Sequence, residues 1–305
     1  MHNPADWMAL AISQAQKGLG LTAPNPAVGA VVVRDGVCIG RGFHAKAGTP
    51  HAEPLALADA GEAARGADLY VTLEPCCTHG RTPPCTEAIK RAGIRRVFVG
   101  CTDPNPLHAG RAYPILEAAG IEVHHGIREA ECRHLIRAFV RAHLQGLPWV
   151  TLKLATSLDG RIADAEGRSR WISGPAARER VQALRREADA ILVGSGTARL
   201  DNPGLRPDPA AGRNPWRIIP DRPGLLPESL AVFTDAHRQR TLCLLGPEAS
   251  ASRRDWLTQQ GVVWMEAPTR NGHFDWPHIL PSLAERGIQH LLCEGGGRPG
   301  VAGDR

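Results

Sequence analysis

His51-Ala52-Glu53-Pro54-Leu55-Ala56-Leu57-Ala58-Asp59-Ala60 and Asp68-Leu69-Tyr70-Val71-Thr72-Leu73-Glu74-Pro75-Cys76 are the stretches that decide how this chain folds. The first reads as a helix with Pro54 in its opening turn, where the missing N–H has no partner to lose. In the second, residues 68–73 form a short apolar run of the kind that makes a buried strand. Cys85 then opens another helical run, residues 86–92, which Gly93 stops. Working outward, residues 28–33 (VGAVVV), the pair Asp35-Gly36 and residues 37–40 predict strand, tight turn and strand. Residues 96–100 and 121–123 predict further strands, and residues 7–15, 113–119 and 128–144 predict helices. Strands alternating with helices at this spacing imply a layered α/β domain.

The chemistry sits where these elements end. His51, Cys76 and Cys85 offer an imidazole and two thiolates, the ligands that zinc takes tetrahedrally, and a catalytic zinc leaves its fourth position to water. The preference for zinc over another divalent metal rests on the softness of those ligands. Cys85 opens a helix, where the dipole and free N–H groups favour a thiolate. Glu53 stands two residues beyond the histidine, within reach of the water but outside the ligand set. Zinc deaminases arrange their groups this way: water is activated for attack on an amine-bearing ring carbon, and the glutamate moves protons. Eight residues separate Cys76 from Cys85, so Cys77 and His79 are rival ligands. A structural zinc knuckle would need four protein ligands and leave Glu53 without a use.

At 305 residues the chain suits two domains, with a break at Gln145-Gly146-Leu147-Pro148 that divides 1–146 from 147–305. The second half is again α/β, with strands expected over residues 149–155, 190–193, 216–219, 242–245 and 290–293 and helices over 175–188 and 279–286. The 43% hydrophobic and 22% charged content is that of a folded chain. Before residue 148 there are 15 Lys+Arg against 13 Asp+Glu, and after it 21 against 18, with no basic run longer than a pair such as Arg95-Arg96. A nucleic-acid surface needs clustered positive charge, so no nucleic-acid partner is expected. No apolar run reaches the ~20 residues of a membrane helix, and the N-terminus lacks the pattern of a signal peptide. The 8 cysteines, only three of them clustered, point to a reducing cytoplasm rather than a disulfide scaffold.

At the run Leu73-Glu74-Pro75-Cys76-Cys77-Thr78-His79-Gly80-Arg81-Thr82-Pro83-Pro84-Cys85 the chain resembles the bifunctional riboflavin-biosynthesis deaminase–reductases. Pro24-Asn25-Pro26-Ala27-Val28-Gly29, Gly48-Thr49-Pro50-His51-Ala52-Glu53 and Asp103-Pro104-Asn105-Pro106 carry the same resemblance. Transfer-RNA and free-base deaminases share the His-Ala-Glu and Pro-Cys elements but not the Gly-Arg-Thr-Pro-Pro-Cys insertion. The resemblance implies a three-layer α/β/α domain of the cytidine-deaminase type, followed by a dihydrofolate-reductase-like α/β domain. It implies that a 2,5-diamino-6-ribosylamino-4(3H)-pyrimidinone 5′-phosphate loses its 2-amino group, and that NADPH then reduces the ribosyl ring to a ribityl chain. Zn2+ held by His51, Cys76 and Cys85, with Glu53 as proton donor, follows from the same likeness. Asn25 would contact the pyrimidine, or else only shape a Pro-Asn-Pro turn. A homo-oligomer is compatible with the resemblance.

In the second half, Lys153-Leu154-Ala155-Thr156-Ser157-Leu158-Asp159-Gly160-Arg161 resembles the opening of the family's reductase domain. By that resemblance Ala155, Trp171, Thr197 and Asp201 lie against the nicotinamide cofactor, and Ser169, Arg185, Leu205 and Glu294 touch the substrate. A guanidinium such as Arg185 binds phosphate bidentately, although beside Arg186 it also reads as a solvated helix arginine. Gly194-Ser195-Gly196 lacks the further glycine and acidic partner of a dinucleotide fingerprint. Gly295, Gly296 and Gly297 after a strand would bring backbone N–H groups close to a pyrophosphate. Family members continue with a helix and more strands, whereas this chain ends Arg298-Pro299-Gly300-Val301-Ala302-Gly303-Asp304-Arg305, so a reductase lacking its C-terminal part is expected. Leu205-Arg206-Pro207-Asp208 and Pro220-Asp221-Arg222-Pro223 also depart from the family pattern. Two other readings compete, a nucleic-acid or free-base deaminase and a non-catalytic zinc-stabilised binding protein.

Overall fold

The computed structural model describes residues 3–78, 83–106, 108–166, 171–207 and 214–295. The chain divides into two compact units, Met1–Gln145 and Gly146–Arg305.

The first unit runs α1 (Pro4–Gln16), β1 (Gly29–Arg34), β2 (Val37–Phe43), α2 (Ala52–Ala60), β3 (Asp68–Leu73), α3 (Cys85–Ala92), β4 (Arg96–Cys101), α4 (Ala112–Glu117), β5 (Glu122–His125), α5 (Glu129–Leu135) and α6 (Arg137–Gln145). Its sheet has the order β2-β1-β3-β4-β5. The β1–β2 and β1–β3 pairs are antiparallel, and β3–β4 and β4–β5 are parallel. Asp35 and Gly36 both take positive φ, 50° and 73°, which a two-residue turn joining right-twisted strands requires. Side chains alternate across β1. Ala30 and Val32 join Ala52, Ala56, Ile89 and Leu116 on one face, while Val31 and Val33 join Met8, Ala11, Ala15 and Leu135 on the other. Two helical layers therefore cover one sheet. The helix expected over 128–144 is broken at Ile136, whose φ of −102° and ψ of 19° leave the helical region. The break leaves the helical period intact, and Cys132, Leu135, Ile136 and Phe139 all lie in the same apolar cluster.

Close approach fixes where α2 begins. A Cβ at Gly42 would meet the carbonyl oxygen of Ala52 and lie 2.5 Å from the nitrogen of Ala56; one at Gly40 would lie 2.8 Å from the nitrogen of Ala60. Two glycines on β2 facing three alanines on α2 let backbone rest on backbone. The helix start that carries His51 and Glu53 is thereby held hard against the sheet.

The second unit runs β6 (Trp149–Lys153), α7 (Pro175–Glu187), β7 (Ala190–Leu192), α8 (Ser195–Asp201), β8 (Trp216–Pro220), α9 (Ala231–Thr234), β9 (Thr241–Leu245), α10 (Ala251–Gln259), β10 (Val263–Glu266), β11 (Thr269–Arg270), β12 (His273–Phe274), α11 (Trp276–Glu285) and β13 (His290–Glu294). A parallel sheet of order β10-β9-β8-β7-β13-β6 forms its centre. Ile191 and Val193 pack with Ala198, Phe233 and Leu257 on one face, and Leu192 packs with Ile279 and Leu283 on the other. The sequence pattern does not announce α8, α10 or β10. In α10 only Arg253 and Leu257 are buried, too few apolar positions to mark a helical period. Arg217 is 1% exposed within β8 and gives two hydrogen bonds to Asp235, at 2.7 and 3.0 Å.

Candidate active site

His51 caps α2 from an extended backbone, φ −71° and ψ 171°, so its ring leaves the helix axis while Glu53 stays in the first turn. Cys76 follows the end of β3 and Cys85 is the first residue of α3. The sheet and these two helix starts bring the three side chains together. His51 Nδ1 lies 3.3 Å from Cys85 Sγ and 3.6 Å from Cys76 Sγ, and all three donor atoms fall within 4.8 Å of one another. Donors bound tetrahedrally to zinc at ordinary bond lengths stand about 3.5 Å apart, so this cluster fits that ion without rearrangement. The Cys85 N–H donates to Cys76 Sγ over 3.3 Å, as a helix N-terminus does for a thiolate.

Crowding of acids marks the site. Contact with the Cys85 thiol, and then with His51, draws the Cys76 thiol down, while the Cys85 thiol is pushed up in return. His51 is raised, first by its hydrogen bond with Cys76. These groups share protons that a dication would displace. Glu53 is 3% exposed, and burial followed by the charge of Cys76 pushes it up to about 7. Among the described residues, the group able to hold a metal is His51, Cys76 and Cys85. Cys77 is not part of it, and His79 lies outside the described residues.

His44 has no role that the sequence pattern assigns. It is 2% exposed, its Nε2 lies 3.1 Å from the Asn25 amide nitrogen, and its Nδ1 lies 3.1 Å from the Pro50 carbonyl oxygen. The amide donates, so Nε2 accepts and Nδ1 carries the proton. Burial lowers His44 in keeping with that neutral ring, whose edge meets His51 at a centroid distance of 5.3 Å. A histidine between an Asn-Pro turn and a His-Ala-Glu helix start is the one signal that could have found it.

In the second unit Ala155, Thr197, Glu294 and Gly295 lie at or just beyond the carboxyl ends of parallel strands, where open α/β sheets receive ligands. Glu294 ends β13, beside Lys153 of β6 and the end of β7, and the N–H of Gly295, which follows it, donates to the Lys153 carbonyl over 3.0 Å. Thr197 and Asp201 lie on α8, and Ala155 is half-buried beyond β6. Leu205 is buried with φ 48°. Arg185 gives its guanidinium to Glu294 at 2.5 and 2.7 Å and to the Arg206 carbonyl at 3.1 Å, so two residues read as substrate contacts engage each other. Trp171 stands 70% exposed with the Arg178 guanidinium 4.6 Å over its ring. Ser169, Gly296 and Gly297 lie outside the described residues.

Residues 1–101 match the cytidine and deoxycytidylate deaminase zinc-binding region, and residues 148–298 match the RibD C-terminal domain. Fold and site thus define a bifunctional enzyme, a zinc deaminase domain joined to an NADPH-dependent reductase domain. The riboflavin biosynthesis protein RibD of Bacillus amyloliquefaciens is 44% identical over 291 residues, covering 95% of this chain and 78% of that protein. Its counterpart in Aquifex aeolicus is 45% identical over 295 residues, covering 96% and 81%. The Acinetobacter baumannii RibD structure superposes with a TM-score of 0.83 at 40% identity, covering 96% of this chain and 81% of that one. The chain belongs to the RibD family of riboflavin biosynthesis. Among the described residues no helix is long and apolar enough to cross a membrane.

Proposed function

We propose that residues 1–146 deaminate 2,5-diamino-6-ribosylamino-4(3H)-pyrimidinone 5′-phosphate and that residues 147–305 reduce the product's ribosyl group with NADPH. A relative of known structure from Thermotoga maritima, 39% identical, is a diaminohydroxyphosphoribosylaminopyrimidine deaminase/5-amino-6-(5-phosphoribosylamino)uracil reductase. In this reading His51, Cys76 and Cys85 hold zinc, which when bound supplies Lewis acidity and lowers the pKa of water. Glu53 takes a proton from the attacking water and returns it to the ring nitrogen. It then passes the second proton to the amine, the C–N bond breaks, a C–O bond remains and ammonia leaves. Asn25, oriented by His44, contacts the pyrimidine. Ala155, Trp171, Thr197, Asp201 and the glycines from Gly295 to Gly297 receive the cofactor, and Ser169, Arg185, Leu205 and Glu294 the substrate. The enzyme works in the cytoplasm, where its thiols stay reduced, on a free phosphorylated pyrimidine rather than on nucleic acid.

One observation carries the proposal: a buried carboxylate held near pKa 7, in the helix turn that also supplies the histidine of a three-donor metal cluster. A group at that value both accepts and returns a proton near neutral pH. The test is to supply the zinc-loaded chain with the diaminopyrimidinone ribosyl phosphate, with and without NADPH, and to follow ammonia and NADPH separately. Ammonia without NADPH and both signals with it are expected. Absence of ammonia refutes the deaminase reading, and ammonia without NADPH oxidation refutes the reductase reading.

A further inference from the structure

Glu74 is a carboxylate 4% exposed at the end of β3, two residues before Cys76. Its backbone N–H donates to the Cys101 carbonyl over 2.9 Å, which continues the β3–β4 pairing past the sheet. Its side chain turns to a different segment. Oε2 accepts from the N–H groups of Asp103 (3.1 Å) and Gly110 (2.9 Å), and Oε1 accepts from that of Ala112 (3.0 Å). Three converging donors can be met by an ionised carboxylate, which only accepts, and cannot all be met by an amide.

Among the described residues of the segment held in this way, those between Cys101 and Ala112 include no buried one. Its own bonds, from the Asn105 N–H to Asp103 Oδ1 at 2.8 Å and between Thr102 Oγ1 and Tyr113 Oη at 2.9 Å, shape its turns and base. Glu74 links both of its arms to the strand end that carries the metal donor. Because Glu74 stands two residues before Cys76, the backbone groups its carboxylate holds are tied to the strand end that carries that donor.

We propose that Glu74 is a positioning residue of the deaminase site, clasping the backbone at Asp103, Gly110 and Ala112 to the Cys76 strand end and so setting the wall against which the pyrimidine substrate is received. The proposal rests on the deaminase reading above. Glu74→Gln keeps size and shape but turns one acceptor into a donor that faces backbone N–H groups. In the zinc-loaded full chain this substitution is expected to raise KM for the diaminopyrimidinone ribosyl phosphate about tenfold or more, with a smaller fall in kcat. Zinc is expected to stay at one ion per chain. Unchanged KM in a variant that holds zinc would overturn the proposal, and so would loss of zinc, which would make Glu74 a support of the metal donor instead of the loop. Amide hydrogen exchange on the wild-type chain gives a second test that needs no variant to fold. The amides of Asp103, Gly110 and Ala112 should be protected before substrate is added, and exchange at the rate of unstructured amides overturns the clasp. If the wild type releases no ammonia, the deaminase reading itself fails and the proposal with it; normal wild-type turnover with an indifferent Glu74→Gln sinks the clasp alone.

Discussion

His51 Nδ1 and Cys85 Sγ lie 3.3 Å apart although 34 positions separate them in the chain. With Cys76 they form a cluster whose protons a dication displaces, so metal removal should silence one activity only. Treatment with a strong chelator is expected to abolish ammonia release, and added zinc to restore it. NADPH oxidation on the already deaminated substrate should persist, since no residue assigned to the reductase belongs to the cluster. Parallel loss of both signals would contradict this separation.

Glu53 is buried next to the cluster but outside it. Glu53→Ala should therefore lower the deamination rate by about 10²-fold or more while the variant keeps its zinc. Metal analysis beside an ammonia assay checks both halves of the statement. Loss of zinc in this variant would make Glu53 a ligand or a structural support instead of a proton shuttle.

The same carboxyl sets a pH limb. Burial and the charge of Cys76 raise it from the ordinary 4.5 to about 7, and it must be ionised to take the proton of water. Deamination kcat/KM should consequently rise with pH through the Glu53 pKa. A bound dication favours the ionised form, so in the zinc enzyme the midpoint falls below 7. A pH profile flat throughout the acid range in which the enzyme stays folded and zinc-loaded would contradict the assignment.

Gly42 lets α2 touch β2. The Cβ added by Gly42→Ala meets the Ala52 carbonyl oxygen, which belongs to the helix turn carrying Glu53. The expected result is a loss of about 1–3 kcal/mol in stability together with weaker zinc retention. Thermal melting and metal titration read the two effects.

Asp235 answers the buried Arg217. Burial pushes its carboxyl up, but the Arg217 hydrogen bond and charge outweigh that and leave it below the ordinary 3.8. A depressed folded-state pKa means that the stabilisation is complete above the unfolded value and is lost as pH falls through the folded one. Asp235→Asn should cost about 3 kcal/mol at neutral pH, by leaving Arg217 buried and uncompensated. The deficit against wild type should shrink in acid, which denaturant titrations at several pH values would show.

Much of the site was legible in sequence because its signals are local. His51-Ala52-Glu53 at a helix start, Pro75-Cys76 after an apolar strand and Cys85 opening a helix depend on only a few neighbouring residues each. Asp35-Gly36 likewise announced its turn through the one conformation that such a pair makes easy. The break at Ile136 was hidden, since the helical period continues through it and no proline or glycine marks it. Helix α10 was hidden for the opposite reason, its exposed face leaving almost no apolar period to read.

By itself the sequence determined which chemical groups are present, in what order, and which short segments are helix, turn or strand, because those follow from side-chain type and backbone preference over a few residues. The tertiary structure alone decided that Glu53 is buried away from bulk solvent, that His44 faces Asn25, that Arg185 gives its guanidinium to Glu294, and that Glu74 grips a loop beyond the next strand. Burial and partnership depend on residues brought close by the whole chain, and desolvation and hydrogen bonding act through that proximity, which no local stretch of sequence encodes.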